Sequence, residues 1–255
     1  MEMAVIMMRL DKFLVEMEAG SRSEVKKQIS KGMVTVNGKI VSRPETKIDE
    51  SGAVVVCAGK CYTYTKYVYY MLHKPAGVVS ATEDKKEKTV LELIPDKKRG
   101  DIFPVGRLDK DTEGLLFLTN DGQLAHQLLS PKKHVDKTYE ANIRGIVTEE
   151  DIKKFAEGLD IGDEKPTLPA KLQILHTDTK AECSFVSIVI REGRFHQIKR
   201  MFEAVGKEVL YLKRVGMGSL VLDKQLEKGH YRELTEEEVK ELYKKQGGNN
   251  ESHHF

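Results

Sequence analysis

Apolar segments joined by short connections constrain the fold of this chain more strongly than any other feature of its sequence. Between Tyr67 and Tyr243, segments typical of β-strands alternate with segments typical of amphipathic helices. The strand segments are GLLFLTN, KTYEANIRG, AKLQILHT, CSFVSIVIREG and KEVLYLKRVGMGSL, and the helix segments are GQLAHQLLS, EEDIKKFAEGL and FHQIKRMFEAVG. Because short connections favour hairpins, the pattern predicts an α+β fold with a mixed, mainly antiparallel sheet and flanking helices.

The first sixty residues predict a separate, smaller domain. One helical stripe carries Leu10, Phe13, Leu14 and Met17. Gly20 ends this helix, and Ser21 caps a second one, SRSEVKKQISKG. The segment MVTVNGKIV then alternates apolar and polar residues around an Asn-Gly pair, which is typical of a tight primed turn. The order helix, helix, hairpin is that of a module with its own small core.

These patterns divide the 255 residues into two domains. We expect the helix-helix-hairpin domain at residues 8–60 and the larger domain at residues 61–243. Residues 1–7 are predicted to be a disordered extension. Residues 244–255 are predicted to be a disordered tail, because QGGNNESHHF is polar.

Composition excludes several functional classes. Lys and Arg number 42 against 40 Asp and Glu, so the chain is not strongly basic, although local clusters of charge could still bind nucleic acid. Three cysteines at spacings that match no zinc ribbon or redox pair predict free thiols and no metal site. The sequence shows no cofactor fingerprint, membrane span or signal peptide, and we therefore expect a cytoplasmic protein without a cofactor.

Basic residues of the small domain are candidate contacts for phosphates. Arg22, Lys26 and Lys27 recur at spacings that share one face of the second helix. Arg9 and Lys12 add positive charge at the first helix. Such a stripe is typical of a nucleic-acid footprint, although an ordinary solvated helix face is the alternative.

The glycine-bounded loop GRLDKDTEG, at residues 106–114, offers two carboxylates in front of an apolar strand. Asp109 and Asp111 are both candidates for a nucleophile or general base, although an aspartate in a loop is more often a turn or capping residue. Arg107 precedes them and is a candidate for holding a phosphate.

A second basic segment, EGRFHQIKRM, enters a predicted helix. Residues 191–214 contain seven Lys and Arg against three Glu, an excess that suits a groove lined with phosphates. We expect His196, Gln197, Lys199 and Arg200 to contact RNA, although His196 could instead cap the helix. Tyr139 is either a stacking platform for a base or a core residue, and Lys74, beside Pro75, either touches a phosphate or shapes its loop.

Taken in order along the chain, several segments resemble one family of RNA-modifying enzymes. The segments MLHKPAGVVSATED, GRLDKDTEGLLFLTNDG, SPKKHVDKTY and EGRFHQIKRMFEAVG are similar to those of the ribosomal small-subunit pseudouridine synthase A family. The segment RLDKFL…GSRSEVKKQISKGMVTVNGKIV resembles the small RNA-binding domain named after ribosomal protein S4. The resemblance runs from about Met8 to Tyr243.

The resemblance implies isomerisation of a uridine to pseudouridine in 16S ribosomal RNA, within an assembly intermediate of the small subunit. It implies a cofactor-free enzyme, acting as a monomer, in which Asp109 is the catalytic aspartate, Tyr139 lies over a flipped base and Arg194 orients the carboxylate. Asp111 then stabilises the loop. Attack on the ribose, attack on the base and deprotonation of the sugar are all compatible routes. The alternatives are the same chemistry on 23S ribosomal RNA, or a non-catalytic assembly factor that binds ribosomal RNA.

Overall fold

The computed structural model describes residues 6–50 and 52–245, and the chain divides into two compact units. The first unit holds the residues up to Val68 together with Pro95–Ile102. The second holds Tyr69–Ile94 and the residues from 103 onward. The division falls at residue 68 rather than at residue 60, because Lys60–Tyr62 forms a hairpin with Val55–Cys57 in the first unit.

The described residues of the first unit form two helices and six short strands. These are β1 (Met7–Arg9), α1 (Leu10–Glu16), α2 (Arg22–Ser30), β2 (Val34–Val36), β3 (Lys39–Ile40), β4 (Lys47–Asp49), β5 (Val55–Cys57) and β6 (Lys60–Tyr62). One sheet has the order β3-β2-β5-β6, and β1 pairs with β4 separately. The helical stripe predicted from the sequence is buried in the core of this unit.

Local sequence explains the two turns that organise this unit. The Ser21 hydroxyl accepts a hydrogen bond from the Glu24 amide, and the Glu24 carboxylate accepts one from the Ser21 amide at 2.8 Å, which together form a capping box at the start of α2. Asn37 and Gly38 both adopt positive φ, at 51° and 78°. Two such residues in succession form the primed turn that the Asn-Gly pair predicted.

Both predicted terminal segments differ from the structure where they overlap it. Met7 lies in β1 and pairs with Asp49, so the disorder predicted for residues 1–7 does not extend to it. Residues 1–5 lie outside the described residues. At the other end, helix α6 (Glu236–Lys245) continues past residue 244, where the tail was predicted to begin, and residues 246–255 lie outside the described residues.

The described part of the second unit is built from nine strands and four helices. The strands are β7 (Tyr69–Lys74), β8 (Phe103–Pro104), β9 (Glu113–Thr119), β10 (Lys137–Arg144), β11 (Lys171–Asp178), β12 (Cys183–Ile190), β13 (Glu208–Met217), β14 (Leu220–Val221) and β15 (Tyr231–Glu233). The helices are α3 (Gly122–Leu129), α4 (Glu149–Glu157), α5 (Gln197–Ala204) and α6, with two short 3₁₀ turns at Val90–Leu93 and Pro131–Lys133.

These nine strands form one sheet. Its main order is β11-β12-β10-β13-β9-β7-β15, with β14 beside β13 and β8 beside β9. The pairing of β9 with β13 is parallel, and the other pairings are antiparallel. The prediction of an α+β fold with a mixed, mainly antiparallel sheet is therefore confirmed. Strands β10, β13 and β9 lie side by side in its middle, and the loop 106–114 leads directly into β9.

Candidate active site

A cavity of about 660 Å³ in the second unit collects most of the predicted catalytic residues. Its walls come from the loop before β9, from β10 and β13, and from the segment that connects β12 to α5. The predicted residues that line it are Arg107, Asp109, Tyr139, Arg194, His196, Gln197 and Lys199. Segments far apart in the chain therefore meet at one concave site.

The loop that carries Asp109 is held in place by hydrogen bonds from a buried lysine. The ammonium of Lys74 donates hydrogen bonds to the carbonyl oxygens of Pro75 at 3.0 Å, Asp109 at 3.1 Å, Lys110 at 3.2 Å and Thr112 at 2.9 Å. The Ser80 hydroxyl donates to the Leu108 carbonyl at 3.0 Å and accepts from the Leu108 amide at 3.1 Å. The backbone on both sides of Asp109 is thus held in place.

Lys74 does not lie where RNA could reach it, which contradicts the predicted phosphate contact and agrees with the alternative that it shapes its loop. Its side chain is fully buried. Burial lowers the pKa of Lys74 to about 8, and the nearby carboxylates of Asp111, Asp109 and Glu113 oppose that shift. The four carbonyl contacts identify Lys74 as a residue that positions the loop.

Gly114 ends the loop and allows two strands to approach closely. A Cβ atom at this position would lie 2.1 Å from the carbonyl oxygen of Arg214, and the residue has a φ of 106°. Gly114 pairs with Arg214 in the parallel ladder of β9 and β13. Any other residue would push these strands apart, and the glycine that bounds the loop therefore sets the distance between Arg214 and the loop.

Arg214 is a site residue that the sequence prediction missed. It pairs with Tyr139 across β13 and β10, and both residues line the cavity. The Arg214 side chain is 2% exposed, and its Nε donates to the Leu115 carbonyl at 2.8 Å. Its Nη2 is buried and has no hydrogen-bond partner among the described residues. A buried donor of this kind is available to an acceptor on a ligand in the cavity.

Lys137 is a second cation of the cavity that the sequence prediction missed. It precedes Tyr139 by two residues on β10, so the two side chains share one face of the sheet. Burial lowers the pKa of Lys137, and the positive charge of Arg214 lowers it further. The Lys137 ammonium donates a long hydrogen bond, 3.4 Å, to the Val135 carbonyl. This wall of the cavity therefore carries a positive charge suited to an anion.

The Asp109 carboxylate is partly exposed and lies near two basic groups. Its side chain is 30% exposed, with one oxygen 3.8 Å from His196 Nε2 and the other 3.7 Å from Lys199 Nζ. Lys199 instead forms close contacts of 2.7 Å with both oxygens of Asp111, and this hydrogen bond lowers the pKa of Asp111. Of the two candidate carboxylates, Asp111 is neutralised by a direct ion pair and Asp109 lies within the cavity.

Arg194 does not hold the Asp109 carboxylate, which differs from its predicted role. Its Nε donates to Glu192 at 3.0 Å and its Nη1 contacts Asp163 at 3.3 Å. The remaining donors bind the carbonyl oxygens of Lys165 at 2.6 Å and Pro166 at 2.7 Å. Arg194, which lines the cavity, therefore binds the 163–166 loop.

Gln197 and Arg200 are also directed into the protein rather than toward RNA. Gln197 is 4% exposed, and its amide group donates to Glu192 and accepts from the backbone amide of Arg194. Arg200 binds the Ile161 carbonyl, the Asp163 carboxylate at 2.5 Å and a backbone carbonyl of its own segment. These contacts anchor the start of α5. The exposed Arg107 and the partly exposed His196 and Lys199 remain as the candidates for RNA contact at this site.

The predicted basic stripe of the first unit is exposed. Arg22, Lys26 and Lys27 are solvent-accessible on α2, whereas Val25 and Ile29 are buried beneath them. The separation of charged and apolar faces leaves the three cations available to a phosphate backbone.

The two basic residues at α1 lie in ion pairs with acidic neighbours. Arg9 bonds Asp11 at 2.8 Å, and this contact lowers the pKa of Asp11. Lys12 lies 3.5 Å from Glu16. Both basic side chains are more than half exposed, so phosphate could still compete for them.

Across 6–50 and 52–245, no helix combines the length and apolar character needed to cross a membrane. Over the same ranges, His, Cys, Asp and Glu form no cluster of three or more that could hold a metal ion.

Comparison with family models identifies both parts of the chain. Residues 8–55 match the S4 domain, and residues 68–204 match the model described as RNA pseudouridylate synthase. The chain belongs to the RNA pseudouridylate synthase family. The resemblance noted from the sequence motifs is confirmed, and this synthase is an RNA-modifying isomerase with an RNA-binding S4 domain.

Curated relatives match the synthase along nearly its whole length. It is 47% identical to "Uncharacterized RNA pseudouridine synthase YtzG" of Bacillus subtilis, with 91% of this chain and 97% of the relative covered. It is 41% identical to "Ribosomal large subunit pseudouridine synthase B" of the same organism, with 92% and 96% covered. It is 39% identical to "Ribosomal small subunit pseudouridine synthase A" of Haemophilus influenzae, with 93% and 100% covered.

A solved structure supports the same assignment. The synthase is similar to a chain described as "Crystal structure of pseudouridylate synthase", with a TM-score of 0.64 and 38% sequence identity. The likeness covers 92% of the synthase and 99% of that chain. Fold and sequence therefore agree on the family.

Proposed function

We propose that this synthase converts one uridine of 16S ribosomal RNA to pseudouridine, with Asp109 as the catalytic carboxylate. The reaction breaks the bond from N1 of uracil to C1′ of the ribose, turns the base and joins its C5 to C1′. A proton leaves C5 and N1 gains one, so the reaction needs no oxidant, reductant or group donor. The observation that carries the proposal is the cavity that holds the Asp109 carboxylate together with Tyr139 and Arg214.

The cavity supports a division of roles among its residues. Asp109 contacts the reacting nucleotide, because its carboxylate is partly exposed on a loop that Lys74 and Ser80 hold rigid. Tyr139 packs against the uracil ring extruded from the RNA. The unpaired Arg214 Nη2 serves the role first predicted for Arg194, which is to orient the Asp109 carboxylate or the anionic group of the substrate.

The basic surfaces support RNA as the substrate. Lys137 and Lys199 lie at the cavity and Arg107 is exposed beside it, so phosphates on either side of the extruded uridine would meet positive charge. Arg22 and Lys26 on the S4 domain are further candidates for contact with RNA phosphates. Extrusion of a base costs about a few kcal/mol, and these phosphate contacts offset that cost.

The choice of 16S RNA rests on sequence details. The segments SATED, SPKKHVDKTY and DIGDEKPTLPAKL resemble the small-subunit branch of the family. The backbone of the last of them accepts hydrogen bonds from Arg200 and from Arg194, which lines the cavity. We infer that this segment contacts nucleotides around the target. We also propose an assembly intermediate of the small subunit as the natural substrate, a cytoplasmic location and a monomeric enzyme.

The second candidate is the same reaction on 23S ribosomal RNA. It is favoured by the relative named for the large subunit, which is 41% identical to this chain. Both candidates share one catalytic site and differ in the RNA that docks on it.

Mapping of pseudouridines in both ribosomal RNAs, with and without the gene, tests the proposal. We expect one site in 16S RNA to be lost on deletion and restored by the wild-type gene. A lost site in 23S RNA instead establishes the second candidate. Unchanged maps of both RNAs contradict enzymatic action on ribosomal RNA and favour a non-catalytic assembly factor.

A further inference from the structure

An aromatic ring lies exposed at the mouth of the cavity. Phe195 is 75% exposed, more than any other large apolar side chain that the structure describes, and it lines the cavity. Isolated exposed apolar residues are common on protein surfaces. The position and packing of Phe195, however, set it apart from a scattered surface residue.

Phe195 stacks on a residue that lies beside the proposed catalytic carboxylate. Its ring is nearly parallel to that of His196, with an interplanar angle of 19° and 3.8 Å between the centroids. His196 adopts a left-handed backbone conformation, with φ at 48°, which brings two consecutive side chains to the same side. His196 Nε2 is in turn 3.8 Å from Asp109. A column of two rings therefore leads from Asp109 to the solvent.

Hydrogen bonds from two neighbouring residues hold this column in place. Arg200 Nη1 donates to the carbonyl oxygen of Phe195 at 3.1 Å. The backbone amide of Arg194 donates to the Gln197 side chain at 3.0 Å. The residues on both sides of the stack are thus tied to the protein interior, and the Phe195 ring is presented on a rigid backbone rather than on a loose loop. A preorganised platform loses little entropy when a second ring stacks on it.

The surroundings identify the occupant by its chemistry. The outer face of Phe195 is apolar and flat, and the cavity beside it carries Lys137, Lys199 and Arg214. A planar apolar ring attached to an anionic backbone fits both features, and this is the chemistry of a nucleotide.

We propose that Phe195 is a specificity-determining residue that stacks on a base next to the uridine that enters the cavity. The inference rests on the proposed function, because it requires an RNA strand at this site. The flanking base continues the column of His196 and Phe195, which stabilises the strand after the target uridine has left its stack. The synthase then favours RNA in which that neighbouring base is free to leave its own partner, such as a loop or an incompletely folded region.

Three substitutions test the role of the ring. Transcripts of 16S and 23S ribosomal RNA labelled with tritium at uracil C5 serve as probes, each both free and partly assembled with ribosomal proteins, and tritium release measures the reaction. We expect Phe195→Ala and Phe195→Leu to lower kcat/KM about 10- to 100-fold, which is about 1.4 to 2.7 kcal/mol. Phe195→Tyr, which keeps the aromatic face, should retain most of the activity. Val221→Ala, at an equally exposed apolar position on β14, should behave as the wild type.

A fluorescent base adds a readout that a purely structural role would not change. Once the target is mapped, 2-aminopurine is placed beside that uridine in a short RNA, and stacking on Phe195 should quench its fluorescence. Phe195→Ala should remove the quenching, with an unchanged melting temperature because the ring is exposed.

The possible outcomes separate this inference from the proposed function. Full activity of Phe195→Ala or of Phe195→Leu overturns the stacking role while the proposed function stands. Unaltered 2-aminopurine quenching in Phe195→Ala also overturns it, and would fit a surface that binds another protein. Failure of the wild-type synthase to release tritium from either transcript contradicts the proposed function, and this inference with it.

Discussion

Removal of the ammonium beneath the catalytic loop tests how the site is held together. The substitution Lys74→Met keeps an unbranched, mainly apolar side chain of similar length and removes the three N–H donors. Hydrogen bonds from a charged donor contribute about 1.5–3 kcal/mol each. The fall in the pKa of Lys74 from 10.5 to about 8 corresponds to roughly 3 kcal/mol of penalty for burying the charged form. At the lower end of that range the three donors together contribute about 4.5 kcal/mol, and the burial penalty offsets most of it, so we expect a net loss of stability of about 2 kcal/mol.

Lys74→Met should also slow catalysis. Without Lys74 the carbonyl oxygens of Asp109, Lys110 and Thr112 lose a common donor, and the loop can shift. A displacement of about 1 Å can reduce a rate about 100-fold. We therefore expect kcat for tritium release to fall about 100-fold, while the melting temperature falls by about 4–8 °C.

Lys153→Met, at an exposed position on α4, is the matched control and should change neither quantity. Activity of Lys74→Met within twofold of the wild type would refute the argument that this lysine positions Asp109.

Two further predictions concern binding and acid stability. Replacement of Arg22, Lys26 and Lys27 together by Ala should weaken RNA binding and reduce the slope of log affinity against log salt by about two. The expected change follows because each phosphate contact contributes about 0.7 to that slope on single-stranded RNA. An unchanged slope in filter-binding titrations would mean that this face of the helix contacts solvent only. Burial alone would raise the pKa of Asp151, but its contacts with Lys207, at 2.9 Å, and with the Thr148 cap hold that pKa below its usual value. The stabilisation is therefore complete at neutral pH and is lost progressively as the pH falls below about 4, so Asp151→Asn should cost about 2 kcal/mol at pH 7 and clearly less at pH 3 in urea unfolding. A constant difference over that range would contradict the assignment.

Local patterns were sufficient to predict the elements of the fold and the loop that carries Asp109. The capped start of α2, the Asn37-Gly38 turn and the alternating strands all depend on residues a few positions apart. Those patterns do not predict the order of the strands in the sheet. The parallel pairing of β9 with β13 joins Gly114 to Arg214, about a hundred positions apart, and no local signal specifies that register.

The same limit explains the errors at the site. Arg214 lies within the apolar strand segment KEVLYLKRVGMG. The sequence feature that marks it is its charge, which is unusual in a strand expected to be buried. Its importance arises from its pairing with Tyr139 and Gly114. The position of Lys74 beside Pro75 indicates a phosphate contact or a role in shaping the loop, and the family resemblance assigns Arg194 to Asp109. Their carbonyl partners come from other segments, and only the folded chain shows that both cations bind protein.

The central claim is that the Asp109 carboxylate performs the reaction and is not needed to hold the RNA. The most direct test compares wild-type synthase with Asp109→Asn in tritium release from ribosomal RNA and in binding of the same RNA. We predict that isomerisation is abolished while the affinity changes by less than about threefold, because Asp109 adds no positive charge to the phosphate contacts. Full isomerisation by Asp109→Asn would contradict the account.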